Sequence, residues 1–505
     1  MTRIAVGRAL ISVSDKRGLT PLAESLVGLG VEIVSSGGTA AHIEQAGIPV
    51  THVQDVTGAP EMFDGRVKTL HPRIHGAILA DLGKGNHRQE LLDFGIEPFQ
   101  LVVSNLYPFS DTVASGADED EIIENIDIGG PTLIRAAAKN HAWVAVVVSP
   151  DRYDEIVNAV ARGGTTEDLR RDLAKEAFFA TARYDAAIVN WFEREGAQRL
   201  VLPLEMNTGL RYGENPGQPA GLYSMSTSGG WWAKGKQIQG KDMSFNNYAD
   251  ADAAWRLASD LPDGSAVVVK HMNACGAATG AAMLEAFSKA WEGDPLAAFG
   301  GVVGLAGELD GKTARAITEN FVEIVIASSV TDEAKAIVAQ KKNLRVFTAP
   351  FPSDDDLDIR SIDGGFLVQK SDTVVSDASL WESRSREPST AEVFDLQIAW
   401  TIAAHAKSNA IVLVKDGAAV GVGTGDQSRV GAAVRALAQA GDRARGSVCA
   451  SDAFFPFRDG PDALASAGIT AIVEPGGSVR EQEVIESAQE HAMALLFTGE
   501  RHFRH

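Results

Sequence analysis

Cysteine is almost absent from this chain of 505 residues. Cys275 and Cys449 are too few for a disulfide framework or a four-thiolate zinc site. Long apolar runs are missing as well. No stretch approaches the about 18 consecutive apolar residues of a membrane helix, and the opening MTRIAVGRALISVSDK has no apolar core followed by a small-residue cleavage site. Positive charge is scarce: 46 lysines and arginines against 67 aspartates and glutamates give a formal charge of −21. So negative a body repels phosphate backbones and anionic lipid, which disfavours nucleic acid and membrane as partners. A small anionic substrate is still allowed where basic residues gather. No internal repeat or low-complexity segment is apparent. What remains is an ordinary cytoplasmic composition, 45% apolar and 22% charged, long enough for roughly two to four domains.

Short β-branched runs alternate with helical patterns. Arg8–Ser14, Val31–Ser35, Leu101–Ser104 and Trp143–Ser149 read as strands; Leu19–Leu29, Thr39–Ala46 and Leu133–Lys139 read as helices. This alternation implies βαβ units and a parallel sheet covered on both faces. A long helical region covers about residues 166–194. Residues 203–248, rich in Gly, Pro, Asn, Ser and Trp, read as loops or short antiparallel strands, so a domain boundary is placed near 200. The α/β rhythm then resumes, with strands Ala266–Val269, Val302–Leu305, Ala410–Val414 and Thr470–Val473 and helices Ala281–Trp291 and Ala391–His405. Ser353–Asp358 reads as a solvated acidic turn, and Met493–Phe497 as a last strand before the basic tail Arg501–His505.

Several motifs carry chemistry. Ser35-Ser36-Gly37-Gly38-Thr39 follows a strand and opens a helix, an arrangement whose free backbone N–H groups attract anions; its bland alternative is a tight turn with a threonine cap. Ser12, Ser14 and Lys16 end the neighbouring strand at the edge where α/β sheets bind ligands. Gly65–Pro72 brings Arg66 and Lys68 to either side of Val67. In Asp127–Lys139, glycines and a first-turn proline start a helix on which Arg135 and Lys139 share a face, unfavourable unless an anion lies near. Asn105, Tyr107 and Pro108 reach the same rim, so four strand ends converge on an anionic ligand.

In the second half, Lys270-His271 ends a strand, and a lysine beside a histidine favours the neutral imidazole that can accept a proton. Phe299-Gly300-Gly301, the glycine-rich Gly421–Arg429, the phenylalanine-rich Ser451–Asp459 and Glu474–Ser478 are further ligand-loop candidates, each with a plain structural turn as the alternative. Other motifs fail. Ala306–Thr313 fits a relaxed phosphate loop, but Glu308 and Asp310 stand where phosphate oxygens would lie. Gly423-Thr424-Gly425 is too short for a dinucleotide fingerprint. GxSxG is absent, and the two cysteines are too far apart for a zinc deaminase.

Together, SVSDK, SSGGTA, GRVKTLHP, NLYPF, IDIGG, RAAAKNH, LRYGENP, Lys270-His271 with Cys275-Gly276, AAFGG, SNA, QSR, SDAFFPFRD and RHFRH, in this order over the whole length, resemble the bifunctional AICAR formyltransferase and IMP cyclohydrolase family. The resemblance implies an α/β protein: a methylglyoxal-synthase-like parallel-sheet cyclohydrolase domain over residues 1–200, and a transformylase region of two cytidine-deaminase-like subdomains over 201–505, without zinc. It implies AICAR, formyl-AICAR and IMP as ligands, 10-formyltetrahydrofolate as co-substrate, no catalytic metal, and a homodimer with transformylase sites between subunits. For formyl transfer it implies His271 as base, Lys270 as its assistant and Asn409 as orienting group. Arg211, Tyr212, Gly300, Glu323, Phe454 and Arg501 would hold AICAR, with Arg429, Asp459, Gly476 and Gly477 on the folate side. For cyclisation it implies Lys68, Tyr107, Asp127 and Lys139, with Lys139 as proton shuttle. Ser14, Asp15, Lys16, Ser36, Gly37, Gly38, Thr39, Arg66, Val67, Thr69, Ser104, Asn105 and Ile128 would hold the nucleotide. Ala274, Ser328-Ser329 and Asp426 depart from the family pattern around the folate loops. Two rivals remain: a catalytically inactive purine-nucleotide sensor of the same fold, and an ATP-dependent transferase using Ala306–Thr313.

Overall fold

The computed structural model describes residues 3–60, 62–63, 66–194, 198–225, 230–353 and 357–505. Gly65 and residues 354–356 of the acidic stretch lie outside them. The chain forms two compact units, Met1–Leu204 with Met225–Thr227, and Glu205–Ser224 with Ser228–His505.

The first unit is built on a five-stranded sheet in the order Thr51–His52, Glu32–Ser35, Arg8–Ser12, Leu101–Ser104 and Ala145–Val147, parallel throughout. Side chains alternate across it. Ala9, Ile11, Ile33 and Val103 pack with Leu22 and Leu26 on one face; Leu10, Val34 and Val102 pack with Ile74, Leu133 and Ile134 on the other. Burial on both faces is why these strands read as unbroken apolar runs. Two helices begin earlier than their apolar periodicity suggests, Gly37–Gln45 and Gly129–Lys139, because glycines that resemble loop supply their first turns. The first strand stops at Ser12 rather than Ser14, since the Val13 amide turns away to donate to Thr39 Oγ1 at 3.1 Å.

Buried Arg170, on the long helix Glu167–Phe192, donates to the carbonyls of His141 (2.8 Å), Ala142 (2.9 Å) and Thr165 (2.6 Å). It satisfies carbonyls just beyond helix Gly129–Lys139. At about 1 kcal/mol for each abandoned buried acceptor, Arg170→Ala is expected to destabilise this unit by about 3 kcal/mol. A fall in the urea midpoint of its unfolding transition would register that loss, and an unchanged midpoint would refute it.

The second unit holds a twelve-stranded mixed sheet with an internal duplication that is not visible as a repeat in the sequence. Outward from the centre, one half runs Asn273–Thr279, Ser265–Lys270, Gly301–Leu309, Val322–Val330, Arg345–Thr348 and Lys236–Gln239. The other runs Ala418–Gly423, Ile411–Lys415, Val448–Ser451, Ala471–Glu474, Ala494–Phe497 and Glu382–Ser383. Both follow the same succession of pairings: antiparallel, antiparallel, parallel, parallel, antiparallel. A helix precedes each central hairpin, Phe245–Asp260 in one half and Thr390–His405 in the other, and their Trp255 and Trp400 enter one shared core.

One expectation changes and two further segments take definite form. The acidic segment is followed directly by a strand, Leu357–Ile362, which includes Asp358. The phosphate-loop look-alike is a strand running into helix Gly311–Glu319, whose N-cap Asp310 accepts the Thr313 amide at 2.7 Å. The basic tail is docked: His502 is buried, and its ring meets Asp372 at 2.6 Å. No helix among the described residues is long and apolar enough to cross a membrane.

Candidate functional site

The carboxyl ends of the first unit's strands open into a cavity of about 620 Å³. Its wall includes Ser14, Lys16, Ser36, Gly37, Gly38, Thr39, Arg66, Lys68, Thr69, Ser104, Asn105, Tyr107, Asp127 and Ile128. Gly37 has φ +53°, in the left-handed region that favours glycine. Lys68 Nζ lies 3.0 Å from where a Cβ on Gly37 would sit, and Lys16 Nζ lies 3.9 Å from the equivalent point on Gly38. Two ammonium groups thus converge on the N-terminus of helix Gly37–Gln45. Ser36 caps that helix without using its side chain, so the hydroxyl is not spent on capping. Asn105 fixes the neighbouring loop: its Oδ1 accepts the amides of Ser14 (2.6 Å) and Asp15 (3.0 Å), and its Nδ2 donates to the Asp15 carbonyl at 3.1 Å. The Ser104 hydroxyl is buried against this cavity without a hydrogen-bond partner among the described residues.

Asp127 sits at the mouth of helix Gly129–Lys139. Its carboxylate accepts the Gly130 amide at 2.8 Å, and a Cβ on Gly130 would collide with it. Burial raises its pKa, opposed by the backbone N–H groups of Gly130, Tyr107 and Gly129. Tyr184 braces the segment by accepting the Asp127 amide at 2.7 Å and donating to the Asn125 carbonyl at 3.1 Å.

Three expected residues are placed elsewhere. Asp15 turns its carboxylate to Arg17, whose hydrogen bond holds its pKa down. Val67 lines a smaller adjoining cavity of about 120 Å³. Lys139 is exposed at the far end of its helix, about 14 Å along the axis from Gly130 at the ordinary rise per residue. Arg135, its expected partner in gripping an anion, lies over the Phe178 ring, 5.6 Å from the centroid. Conversely, Glu124 forms part of the cavity wall and pairs with Arg66, which spacing alone did not indicate.

In the second unit Lys270 ends the strand Ser265–Lys270, and its Nζ donates to the Phe299 carbonyl at 2.8 Å, beside Gly300. Gly300, with φ +75°, donates its own amide to the Phe321 carbonyl at 2.7 Å, near Glu323. His271 and Met272 form the tip of the hairpin to Asn273–Thr279 with φ +52° and +63°. L-residues with side chains pay about 1 kcal/mol or more each for that conformation, and such strain gathers at functional sites. Asn273 ties this turn to the next loop: its Nδ2 donates to the His271 carbonyl at 3.0 Å and its Oδ1 accepts the Lys407 amide at 3.0 Å. Two residues on stands Asn409. Its Oδ1 accepts from Arg429 at 2.8 Å, and its Nδ2 donates to the Asp426 carbonyl at 2.8 Å.

Arg429, expected on the folate side, is buried, and its guanidinium is taken up by Asp452, Ser451 and Asn409. Asp452 is fully buried and also accepts from the Ser408 hydroxyl and from the Ala410 amide at 3.0 Å, so one carboxylate grips both neighbours of Asn409. Glu323 accepts from Asn247 at 3.0 Å. Phe454 and Arg501 are exposed, with Arg501 over the Phe503 ring at 4.7 Å. Asp459 accepts its neighbour's amide, that of Gly460, at 2.9 Å. Gly476 and Gly477 turn with φ +74° and +87°. Arg211 stacks over Tyr212 at 5.5 Å; among the described residues no hydrogen bond joins either to His271 or Asn409. Cys275 is buried, which pushes its thiol up to about 12. Among the described residues there is no group of three or more His, Cys, Asp or Glu placed to hold a metal.

Glu474, before the Gly476-Gly477 turn, accepts the Phe455 amide at 2.6 Å, and burial pushes its carboxyl up to about 8. The folded chain therefore keeps a proton that the unfolded chain releases above about pH 4.5. Stability from this group is full below that pH and is lost as pH rises to about 8. Glu474→Gln is expected to flatten the decline in the unit's melting temperature between pH 5 and 8, and an unaltered slope would count against this reading.

Two family models match: the AICARFT/IMPCHase bienzyme over residues 137–439 and the MGS-like domain over residues 18–132. The chain is also similar along its length to curated bacterial proteins. It is 47% identical over 507 residues to the bifunctional purine biosynthesis protein PurH of Listeria monocytogenes, covering 99% of this chain and 100% of that protein. To the proteins of that name from Desulfitobacterium hafniense and Corynebacterium glutamicum it is 46% and 47% identical. These matches cover 99% and 100% of this chain, and 99% of each relative.

Proposed function

This chain belongs to the AICARFT/IMPCHase bienzyme family, and from that membership we propose how its two units divide the work. It is a bifunctional enzyme of purine biosynthesis, an AICAR formyltransferase and IMP cyclohydrolase. Residues 1–200 carry cyclisation and residues 201–505 carry formyl transfer. The full-length likeness to bifunctional enzymes, with Lys68, Lys270 and His271 all present, favours catalysis over a nucleotide sensor.

In formyl transfer the 5-amino group of AICAR attacks the formyl carbon of 10-formyltetrahydrofolate, the co-substrate. His271 takes the amine proton, and the folate nitrogen leaves carrying a proton. Lys270, steadied on the Phe299 carbonyl, assists that transfer. Asn409 orients the substrate amide, and Arg429 serves by fixing Asn409. Arg211, Tyr212, Gly300, Glu323, Phe454 and Arg501 hold AICAR; Asp459, Gly476 and Gly477 face the folate.

In cyclisation the carboxamide nitrogen attacks the formyl carbon, water departs and IMP forms. Lys68, Tyr107, Asp127 and Lys139 share the proton transfers, with Lys139 presented by a second copy of the chain, and the ribose phosphate rests at the Gly37-Gly38 turn. The observation that supports this reading best is the convergence of Lys16 and Lys68 on that helix N-terminus. A homodimer in the cytoplasm completes the picture. Its support is the ribbon Leu357–Ile362 with Gly365–Lys370, whose Ile362, Phe366 and Leu367 are exposed by 50%, 69% and 57%.

One incubation tests the assignment: purified chain, AICAR and 10-formyltetrahydrofolate, without ATP or added metal. Tetrahydrofolate and IMP are both expected. Formyl-AICAR accumulating without IMP would remove the cyclisation assignment, and binding of AICAR without any product would restore the sensor.

A further inference from the structure

The duplication in the second unit lets one half serve as a reference for the other. Each half has a central hairpin with a two-residue turn whose residues both have positive φ: His271-Met272 in the first, Asp416-Gly417 (φ +50° and +74°) in the second. Turns of this kind favour Asp-Gly, because aspartate tolerates the left-handed region and glycine has no Cβ. The second half has that pair. The first has histidine, which visits the left-handed region more readily than most residues, followed by methionine where glycine is favoured, and methionine is disfavoured there.

A carboxylate from the preceding helix meets each turn. Asp395, the sixth residue of helix Thr390–His405, accepts the amides of Asp416 at 2.9 Å and Gly417 at 2.7 Å. Asp250, the sixth residue of helix Phe245–Asp260, accepts the Met272 amide at 2.8 Å. Both carboxylates are half-buried, and burial raises the pKa of each. The fold thus builds one device twice. The half with a favourable turn carries no reacting group in its tip; the half with an unfavourable turn carries His271.

We propose that Asp250 is a positioning residue for formyl transfer, holding the His271-Met272 turn in its left-handed conformation so that the imidazole is presented to the substrate amine. This rests on His271 being the base. Asp395 performs the same backbone task for a turn without chemistry, and so provides the control.

The experiment compares Asp250→Ala, Asp250→Asn and Asp395→Ala in the full chain. Melting temperature, cyclisation of supplied formyl-AICAR, and kcat and KM for formyl transfer are measured on each. Asp250→Ala strips the Met272 amide of its acceptor and Asp395→Ala those of Asp416 and Gly417, so both are expected to lower the melting temperature and to leave cyclisation intact. Only Asp250→Ala is expected to lower kcat for formyl transfer, at least tenfold, with KM for AICAR within threefold of the parent. Asp250→Asn, which keeps one acceptor oxygen, is expected to recover part of that kcat, to three- to tenfold below the parent. A kcat for Asp250→Ala within threefold of the parent overturns the proposal, as does an equal loss in Asp395→Ala. Should Asp250→Ala not fold, Asp250→Asn decides: a kcat three- to tenfold down at unchanged KM supports the role, and a smaller loss overturns it. Failure of the underlying reading would show separately, as formyl transfer surviving in His271→Ala.

Discussion

His271→Ala is expected to lower formyl transfer by about 10²–10⁴-fold, the range lost when a positioned general base is removed, while cyclisation of supplied formyl-AICAR continues at the parent rate. The amine it serves is a poor nucleophile, since its lone pair is drawn into the ring and carboxamide, so its proton has to leave as the new bond forms. The imidazole is exposed at a hairpin tip whose backbone is held by Asp250 and Asn273, and its truncation removes no buried contact. The variant should therefore fold and melt as the parent does. Loss of both activities in a folded protein would falsify the assignment of two independent sites.

The second large effect concerns the other reaction. Lys68→Ala and Lys139→Ala are each expected to depress cyclisation by about 10²–10⁴-fold and to leave formyl transfer unchanged. The two lysines differ in one respect. Lys68 stands over the Gly37 turn inside the cavity, whereas Lys139 is exposed at the distal end of the helix that begins there. If Lys139 acts in catalysis, a second copy of the chain has to present it. Mixing the two inactive variants under conditions of subunit exchange is then expected to restore about one site in four, because half of randomly paired dimers are mixed and each mixed dimer has one intact cavity. No recovery on mixing would exclude that arrangement.

Much of the first site was legible because its constraints are local. Ser36-Gly37-Gly38 follows a strand and Asp127 with Gly129-Gly130 follows the short helix Glu119–Glu124; each opens a helix, and glycines there answer nearby side chains: Lys68 at Gly37, Asp127 at Gly130. Glycine in such a place leaves a mark that can be read without coordinates. The Arg135–Lys139 spacing misled for the opposite reason: helical periodicity places both on one face but says nothing of Phe178, which comes from another helix and takes up Arg135. Asp250 and Glu124 left no mark at all, and Asp452 was marked only as part of the Ser451–Asp459 run, not for what it grips. Each is a single carboxylate whose partners lie 22 to 58 residues away and are in part backbone amides, which no residue pattern records. The duplication, indicated beforehand only by the two like subdomains that the resemblance implies, left no visible repeat for a related reason. It survives in which strands pair and in what direction, while the side chains of the two halves have diverged to the point that one turn holds Asp-Gly and its counterpart His-Met.

The docked tail bears on the order in which the protein comes to life as it is synthesised. The Ser408 amide donates to the Arg504 carbonyl at 2.8 Å and the His502 amide to the Asp452 carbonyl at 3.1 Å, while Arg504 lies 3.3 Å from the buried His405 ring. The loop that carries Asn409 is thus closed by residues made about a hundred positions later. The first unit draws nearly all its residues from one continuous stretch near the start and can fold while the ribosome is still translating the second. On the proposed division of work, the cavity of the first unit can therefore form on a nascent chain, whereas the loop that carries Asn409 has to wait until those late residues have left the ribosome.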